Sequence, residues 1–214
     1  MSEQPTPLPD DREPDDVELE KRELRRRLRA ARVERAAASD AQPEHHAAQA
    51  AALTEALIDL VRTTGARTVT AYLSMPGEPD TRGFLRWADA HGIRVLLPII
   101  RVDGLLDWAE HDGTETVEAT LGVPEPTAEP LPPTALEEVD LMLIPATAVG
   151  RDGSRLGGGR GFFDKTIAGM ADFPTVYAVV HDEELFESVP HAAYDQPVDG
   201  VVTPSGILPL TPRS

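Results

Sequence analysis

Hydrophobic and polar positions along the chain alternate between two rhythms. Leu24, Leu28 and Ala31 recur at helical spacing and predict a helix from Val17 into the late thirties. A second helix is predicted over Pro43–Arg62, with Ala47, Ala50, Ala51, Leu57, Ile58 and Val61 on its apolar side and Gly65 closing it. The period then shortens to two. Thr68–Leu73 alternates β-branched and aromatic residues as a strand does, and it leads through Ser74–Asp80 to a helix over Thr81–His91. Ile93–Pro98 reads as a strand, and Gly104–Trp108 as one arm of a hairpin. The prolines of residues 122–133 favour an extended loop that wraps a sheet. Leu141–Ile144 and Pro174–Val180 are unbroken apolar runs, the signature of strands covered on both faces. Phe162–Met170 and Asp182–Val189 read as short helices, and Gly200–Thr203 as the last strand. The expected fold is α/β: one layered domain over residues 17–210, with a central mixed, largely parallel sheet flanked by helices. Residues 1–16, proline-rich and acidic, read as a disordered tail.

Composition narrows the chemistry. The chain has 214 residues and no cysteine, which removes disulfides, thiolate metal sites and cysteine nucleophiles. No apolar run approaches the roughly 20 residues of a membrane span, and the acidic N-terminus is unlike a secretory signal. The cytoplasm is the expected compartment. Twenty Lys+Arg against 37 Asp+Glu give a net charge of -17, which argues against nucleic acid or anionic membrane as partners. An acidic protein that binds a polyanion must gather its positive charge locally. Lys21 and Arg25, four residues apart, share a helix face. A solvated basic face and a positive arm that reaches a phosphate chain both fit that spacing.

The strongest local signal is Val139–Met170, a strand followed by a turn at Arg151–Ser154, then Arg155-Leu156-Gly157-Gly158-Gly159-Arg160-Gly161, then a helix. Glycines let backbone N–H groups approach an anion, a helix start adds positive potential and arginines neutralise charge. The stretch is not the dinucleotide fingerprint, because Phe162 or Asp164 stands where the third glycine is needed. It is not the P-loop either: Asp164 occupies that motif's second glycine position before Lys165-Thr166. A carboxylate just past a phosphate loop is, however, placed to hold Mg²⁺. Asp195 and Asp199 are candidates for the second carboxylate. A Mg-nucleotide site and a glycine-rich surface turn with salt-bridged arginines both remain open on the residues alone. Adjacent His45-His46 point about 100° apart on a helix and are not read as a metal site.

The run from Ile144 to Gly169 resembles the signature of the 5-formyltetrahydrofolate cyclo-ligase (5,10-methenyltetrahydrofolate synthetase) family: a Pro-ended strand, Arg-Leu-Gly, a glycine run, two aromatics and an aspartate. Lys21–Arg25, Tyr72–Met75 with Glu78, Gly122–Pro126 and Asp195–Thr203 resemble further family segments, in order, so the likeness covers about residues 18–208. It implies ATP-dependent closure of 5-formyltetrahydrofolate to 5,10-methenyltetrahydrofolate, with Mg-ATP and a reduced folate as the small-molecule partners of a monomer. ATP would be held by Lys21, Arg25 and the loop Arg155–Phe163, that is Arg155, Leu156, Gly157, Gly158, Gly159, Arg160, Gly161, Phe162 and Phe163. Arg155 and Arg160 would carry the catalytic charge. Leu73, Glu78 and Gly158–Phe162 would face the folate, with Glu78 accepting from pterin N–H groups, and Asp164 and Asp195 would hold Mg²⁺. The chain departs from the family at Phe162-Phe163, where two tyrosines are common, at Val149-Gly150 for Phe-Asp, at Leu121 for a tryptophan and at Glu184 for a glutamine. A nucleotide- or folate-binding relative without turnover is the second reading. A sugar-phosphate isomerase or acyl-CoA transferase of similar architecture is a third.

Overall fold

The computed structural model describes residues 14–39, 41–114, 122–170 and 174–210. Most of the expected N-terminal tail, and Leu121, lie outside them. The chain runs α1 (Pro14–Ser39), α2 (Pro43–Thr64), β1 (Thr68–Thr70), α3 (Arg82–Ala90), β2 (Arg94–Ile100), β3 (Leu106–Glu110), β4 (Leu141–Pro145), β5 (Ala148–Gly150), β6 (Arg155–Leu156), α4 (Phe162–Ala168), β7 (Thr175–Val179), β8 (Leu185–Phe186), β9 (Gly200–Thr203) and β10 (Gly206–Pro209). Short 3₁₀ segments sit at Pro133–Glu138 and Asp182–Glu184.

Seven strands form the main sheet in the order β10-β9-β7-β4-β1-β2-β3. The inner strands β9, β7, β4, β1 and β2 run parallel, and β10 and β3 pair antiparallel at the two edges. The four-residue apolar run of β4 divides by the strand's two-residue period. Leu141 and Leu143 enter the core under α2 and α3, while Met142 and Ile144 enter the opposite core with Ile167 of α4 and Trp108 of β3. All four are at most 1% exposed, each worth roughly 1.5–3 kcal/mol of burial. A second sheet, β6-β5-β8, carries a smaller cluster in which Leu28 of α1 packs on Ala148, Leu156 and Val189.

Several expectations change. The first helix starts at Pro14 rather than Val17, because proline is tolerated in a first turn and Asp15 and Asp16 complement the helix's positive end. Residues 14–16 of the expected tail are therefore helical. In α2, Ala47 and Ala51 are exposed, and side chains are buried from Leu53 onward. The early alanines favour the helix by propensity rather than by packing. Asp182–Val189 is not a helix. Glu184 accepts the His181 N–H at 3.1 Å, and the chain then pairs as β8 with β5, Val149 opposite Leu185.

Candidate active site

The chain passes from β1 to β2 on one side of the sheet and then returns to place β4 on the other side of β1. Crevices open at the carboxyl ends of parallel strands where connections part in this way. A cleft of about 480 Å³ lies there, a size that suits a small ligand. Tyr72, Leu73 and Glu78 reach it from the end of β1, Pro145–Thr147 from the end of β4, and Val123 and Pro124 from the proline-rich loop. The fourth side is the glycine loop with Phe162, Phe163 and Asp164 of α4. Gly77 makes the β1 side possible: its φ is +82°, and a Cβ there would stand 2.4 Å from the Arg32 carbonyl oxygen.

The glycine loop is preceded by a hairpin that sequence patterns did not reveal. β5 and β6 pair antiparallel around Arg151–Ser154, where Asp152 Oδ1 accepts the Ser154 N–H at 3.0 Å. The loop then lies along α1. Arg25 Nε donates to Gly157 O at 3.0 Å, and Arg29 Nη2 donates to Gly158 O at 2.7 Å. Gly159, at φ +95°, passes so near Arg25 that a Cβ would sit 3.4 Å from its Nε. With these carbonyls turned to α1, the amides of residues 157–161 meet no acceptor among the described residues. Arg160 is exposed on the cleft wall, also without a partner among the described residues. α4 is only seven residues long, so the loop amides and arginines carry the anion-binding character more than any helix dipole does.

Next to the loop, cations and carboxylates are paired. Arg155, 3% exposed, donates through Nη2 to Asp164 Oδ1 at 2.5 Å, while its buried Nε has no partner among the described residues. Asp164 Oδ1 also accepts the Gln196 N–H at 3.0 Å. One residue away, Asp195 Oδ2 accepts the Ala192 N–H at 2.7 Å and pairs with Lys21 Nζ at 2.5 Å. Lys21 is 1% exposed, bonds Glu18 at 3.1 Å, and stands 4.9 Å over the Tyr194 ring. Burial opposes its charge, but the bonds to Asp195 and Glu18 outweigh that and hold its pKa above the ordinary lysine value. The basic face of α1 is therefore not simply solvated.

On the other side of the cleft, Glu78 accepts the Met75 N–H at 3.0 Å and the Arg32 Nη1 at 3.3 Å. Burial raises its pKa, and the Met75 amide and Arg32 offset part of the rise. Arg32 grips Glu184 with Nε on Oε1 and Nη2 on Oε2, both at 2.8 Å, and also bonds Ala146 O at 2.7 Å.

Most of the expected residues converge. Leu73, Glu78, Arg155, Gly157, Gly158, Arg160, Gly161, Phe162, Phe163 and Asp164 line the cleft. Lys21, Arg25, Gly159 and Asp195 stand beside it, linked through the loop carbonyls and the adjacent Gln196 amide. Leu156 differs: its side chain is 1% exposed in the cluster under α1, so only its backbone faces the loop. Asp199, the alternative second carboxylate, caps β7 instead by accepting the Val176 N–H at 2.8 Å. Arg29, Arg32 and Tyr72 also line the cleft and Glu184 holds Arg32, though none of the four was among the expected site residues. The signal for the two arginines was present, since 21, 25, 29 and 32 continue one helical face, but Arg26 and Arg27 obscure it.

A doubly wound α/β fold, an arginine-flanked glycine loop and an adjoining, mostly apolar cleft suit a protein that handles phosphate beside a second small ligand. A family model described as the 5-formyltetrahydrofolate cyclo-ligase family matches residues 17–204, and the chain belongs to that family. It is 39% identical over 150 residues to the 5-formyltetrahydrofolate cyclo-ligase of Mycolicibacterium smegmatis, covering 67% of this chain and 77% of that one. The Escherichia coli K12 protein of the same name is 34% identical over 148 residues, covering 66% and 80%. Among solved structures, the Aquifex aeolicus 5,10-methenyltetrahydrofolate synthetase superposes with a TM-score of 0.70 at 24% identity over 91% of this chain and 95% of that one. The Mycoplasma pneumoniae synthetase gives 0.65 at 16% identity, covering 86% and 98%. Both structures share the fold. Among the described residues, no helix is long and apolar enough to cross a membrane.

Proposed function

We propose that the protein closes 5-formyltetrahydrofolate to 5,10-methenyltetrahydrofolate at the expense of ATP, releasing ADP and phosphate. The observation that carries this reading is the glycine loop, whose amides meet no acceptor among the described residues and whose arginines adjoin a cleft large enough for a bicyclic ring. The formyl group is amide-like, and its oxygen leaves poorly. Transfer of the γ-phosphoryl group to that oxygen makes it a leaving group, N10 attacks the formyl carbon, and phosphate departs with the oxygen. Such chemistry asks for positioning and charge neutralisation and for no nucleophilic side chain, in keeping with a chain that lacks cysteine.

In this reading the amides of Gly157–Gly161 and the side chains of Arg155 and Arg160 meet the phosphates, and Lys21 and Arg25 supply charge from α1. Leu73 and Phe162 bound the folate, and Glu78 accepts its ring N–H groups. Asp164 and Asp195 would hold Mg²⁺. Asp164 Oδ2 and Asp195 Oδ1 have no partner among the described residues, and these are hard oxygen donors. Among the described residues no group of three His, Cys, Asp or Glu side chains could hold a metal ion, so Mg²⁺ on these two carboxylates would need phosphate and water to complete its shell. Bound there, Mg²⁺ would neutralise and orient phosphate oxygens. Residues 17–210 act as one unit in this reading, as a cytoplasmic monomer.

Mixing the protein with Mg-ATP and 5-formyltetrahydrofolate should give the absorbance rise of the methenyl product. Saturable ATP binding without that rise would favour a binding protein without turnover, the reading to which Phe162-Phe163 lends weight because neither ring carries a hydroxyl. Arg160→Ala should weaken use of Mg-ATP far more than folate binding.

A further inference from the structure

Tyr72 follows β1 and lines the cleft beside Leu73 and Glu78. It is 4% exposed, and its hydroxyl is buried without a hydrogen-bond partner among the described residues. Buried hydroxyls are nearly always paired, and an unpaired one destabilises the protein that holds it. Phenylalanine would fill the same volume without that cost. Resting on the folate reading of this cleft, we propose that Tyr72 is a specificity-determining residue whose hydroxyl donates a hydrogen bond to the ring carbonyl of the bound reduced folate.

The chemistry is complementary to that of Glu78. A 4-oxo pteridine presents N–H donors beside a carbonyl acceptor on one edge. Glu78, held by Arg32 and the Met75 amide, can take only the donors. A neutral hydroxyl on the same wall supplies what the carbonyl needs. Burial first, and then the negative charge of Glu78, push the Tyr72 pKa well above the ordinary phenol value, while Arg32 opposes the rise. The hydroxyl therefore keeps its proton at neutral pH. The charged groups that act on it are Glu78 and Asp80 of its own loop, Arg32 of α1, and Glu184 of the 3₁₀ turn. A site that hydrogen-bonds a substrate group discriminates strongly against an analogue lacking it. The Tyr72 hydroxyl thus favours a 4-oxo ring over a 4-deoxo ring, which carries hydrogen at that position and offers the hydroxyl no partner.

The test is Tyr72→Phe in the full-length protein, with dissociation constants read by fluorescence titration. Affinity for 5-formyltetrahydrofolate should fall by about tenfold. Affinity for Mg-ATP should stay within about twofold, and the melting temperature of the protein alone should not fall. The preference for 5-formyltetrahydrofolate over its 4-deoxo analogue should shrink by about the same factor of ten. Glu78→Gln serves as the control for the location of the folate. If Glu78→Gln weakens folate binding while Tyr72→Phe leaves both affinity and preference unchanged, the role of Tyr72 is overturned and the cleft stands. If neither change alters folate binding, the cleft reading fails and the proposal with it. A lower melting temperature for Tyr72→Phe would show that the hydroxyl already serves the protein internally, which also overturns the proposal.

Discussion

Replacing Arg32 with methionine tests the polar anchor between α1 and the cleft. Methionine keeps most of the stem's volume and removes the guanidinium. Glu184, whose side chain is 1% exposed, then loses both bonds and keeps Arg35 Nη1 at 3.5 Å and the His181 amide at 3.1 Å. Removing one member of a buried ion pair costs about 3–5 kcal/mol, and the surviving Arg35 contact points to the lower end, about 3 kcal/mol. For a chain of this size that is a fall of roughly 6–12 °C in melting temperature. Adding Glu184→Gln removes the stranded charge and should recover about half or more of the loss. Thermal and urea unfolding of the wild type, both single variants and the double variant form the cycle. A fall below about 2 °C for Arg32→Met, or a double variant as unstable as the sum of the singles, would refute the claim that Glu184 depends on Arg32.

Glu78→Gln should weaken folate binding by about tenfold and raise the melting temperature. Its folded pKa lies above the ordinary 4.5, so this group favours the fold at low pH and loses that contribution as pH rises through the folded pKa. Folate affinity should move oppositely in the wild type, falling on acidification at a pH above 4.5 as the acceptor is protonated; an acid limb at or below 4.5 would remove Glu78 from recognition. Asp164→Asn should raise the Mg²⁺ concentration needed for half-maximal activity by about tenfold or more, and an unchanged Mg²⁺ titration would place the ion elsewhere. Gly200→Ala should cost roughly 1–3 kcal/mol by overpacking, since its Cβ would fall 2.1 Å from the Tyr177 ring on the paired strand; unfolding at the wild-type temperature would contradict that packing.

The legible parts of the chain were those where one local rule decides the outcome. The β4 run required cover on both faces and has it, and Gly104–Trp108, which reads as one arm of a hairpin, overlaps β3, which pairs antiparallel with β2. The site was legible where it is contiguous, from Arg155 to Asp164. The rest depends on pairings over long sequence distances. Asp182–Val189 has a helix-compatible pattern, yet β5 was waiting to take Leu185–Phe186 as a strand. Glu184 looked like a simple change of side chain, but its partner Arg32 lies 152 residues earlier. The alternation over Thr68–Leu73 places Tyr72 in a strand; it follows β1 instead, is buried, and has a hydroxyl without a partner among the described residues, which no sequence pattern shows.

The choice between a solvated face and a phosphate-reaching arm turns on where the charges of α1 end. Lys21, Arg22, Arg25, Arg26, Arg27, Arg29, Arg32 and Arg35 put eight of the chain's 20 basic residues on this one helix. Arg26 spends its charge on exposed Glu23. The face at 21, 25, 29 and 32 does not. It meets Asp195, then Gly157, then Gly158, then Glu78 and Glu184, in that order along the axis. At a rise of 1.5 Å per residue that face spans about 16 Å, on the scale of a polyphosphate and a ring laid end to end. Apolar packing is a small part of this docking among the described residues, since Val17 and Leu28 are buried and the partly buried Leu24 packs against the Leu28 cluster, while Leu19 and Val33 are 65% and 69% exposed. A helix held this way is positioned by the groups it touches. In the proposed reading, phosphate at Lys21 and Arg25 and folate at Glu78 would each engage a group that this one helix holds.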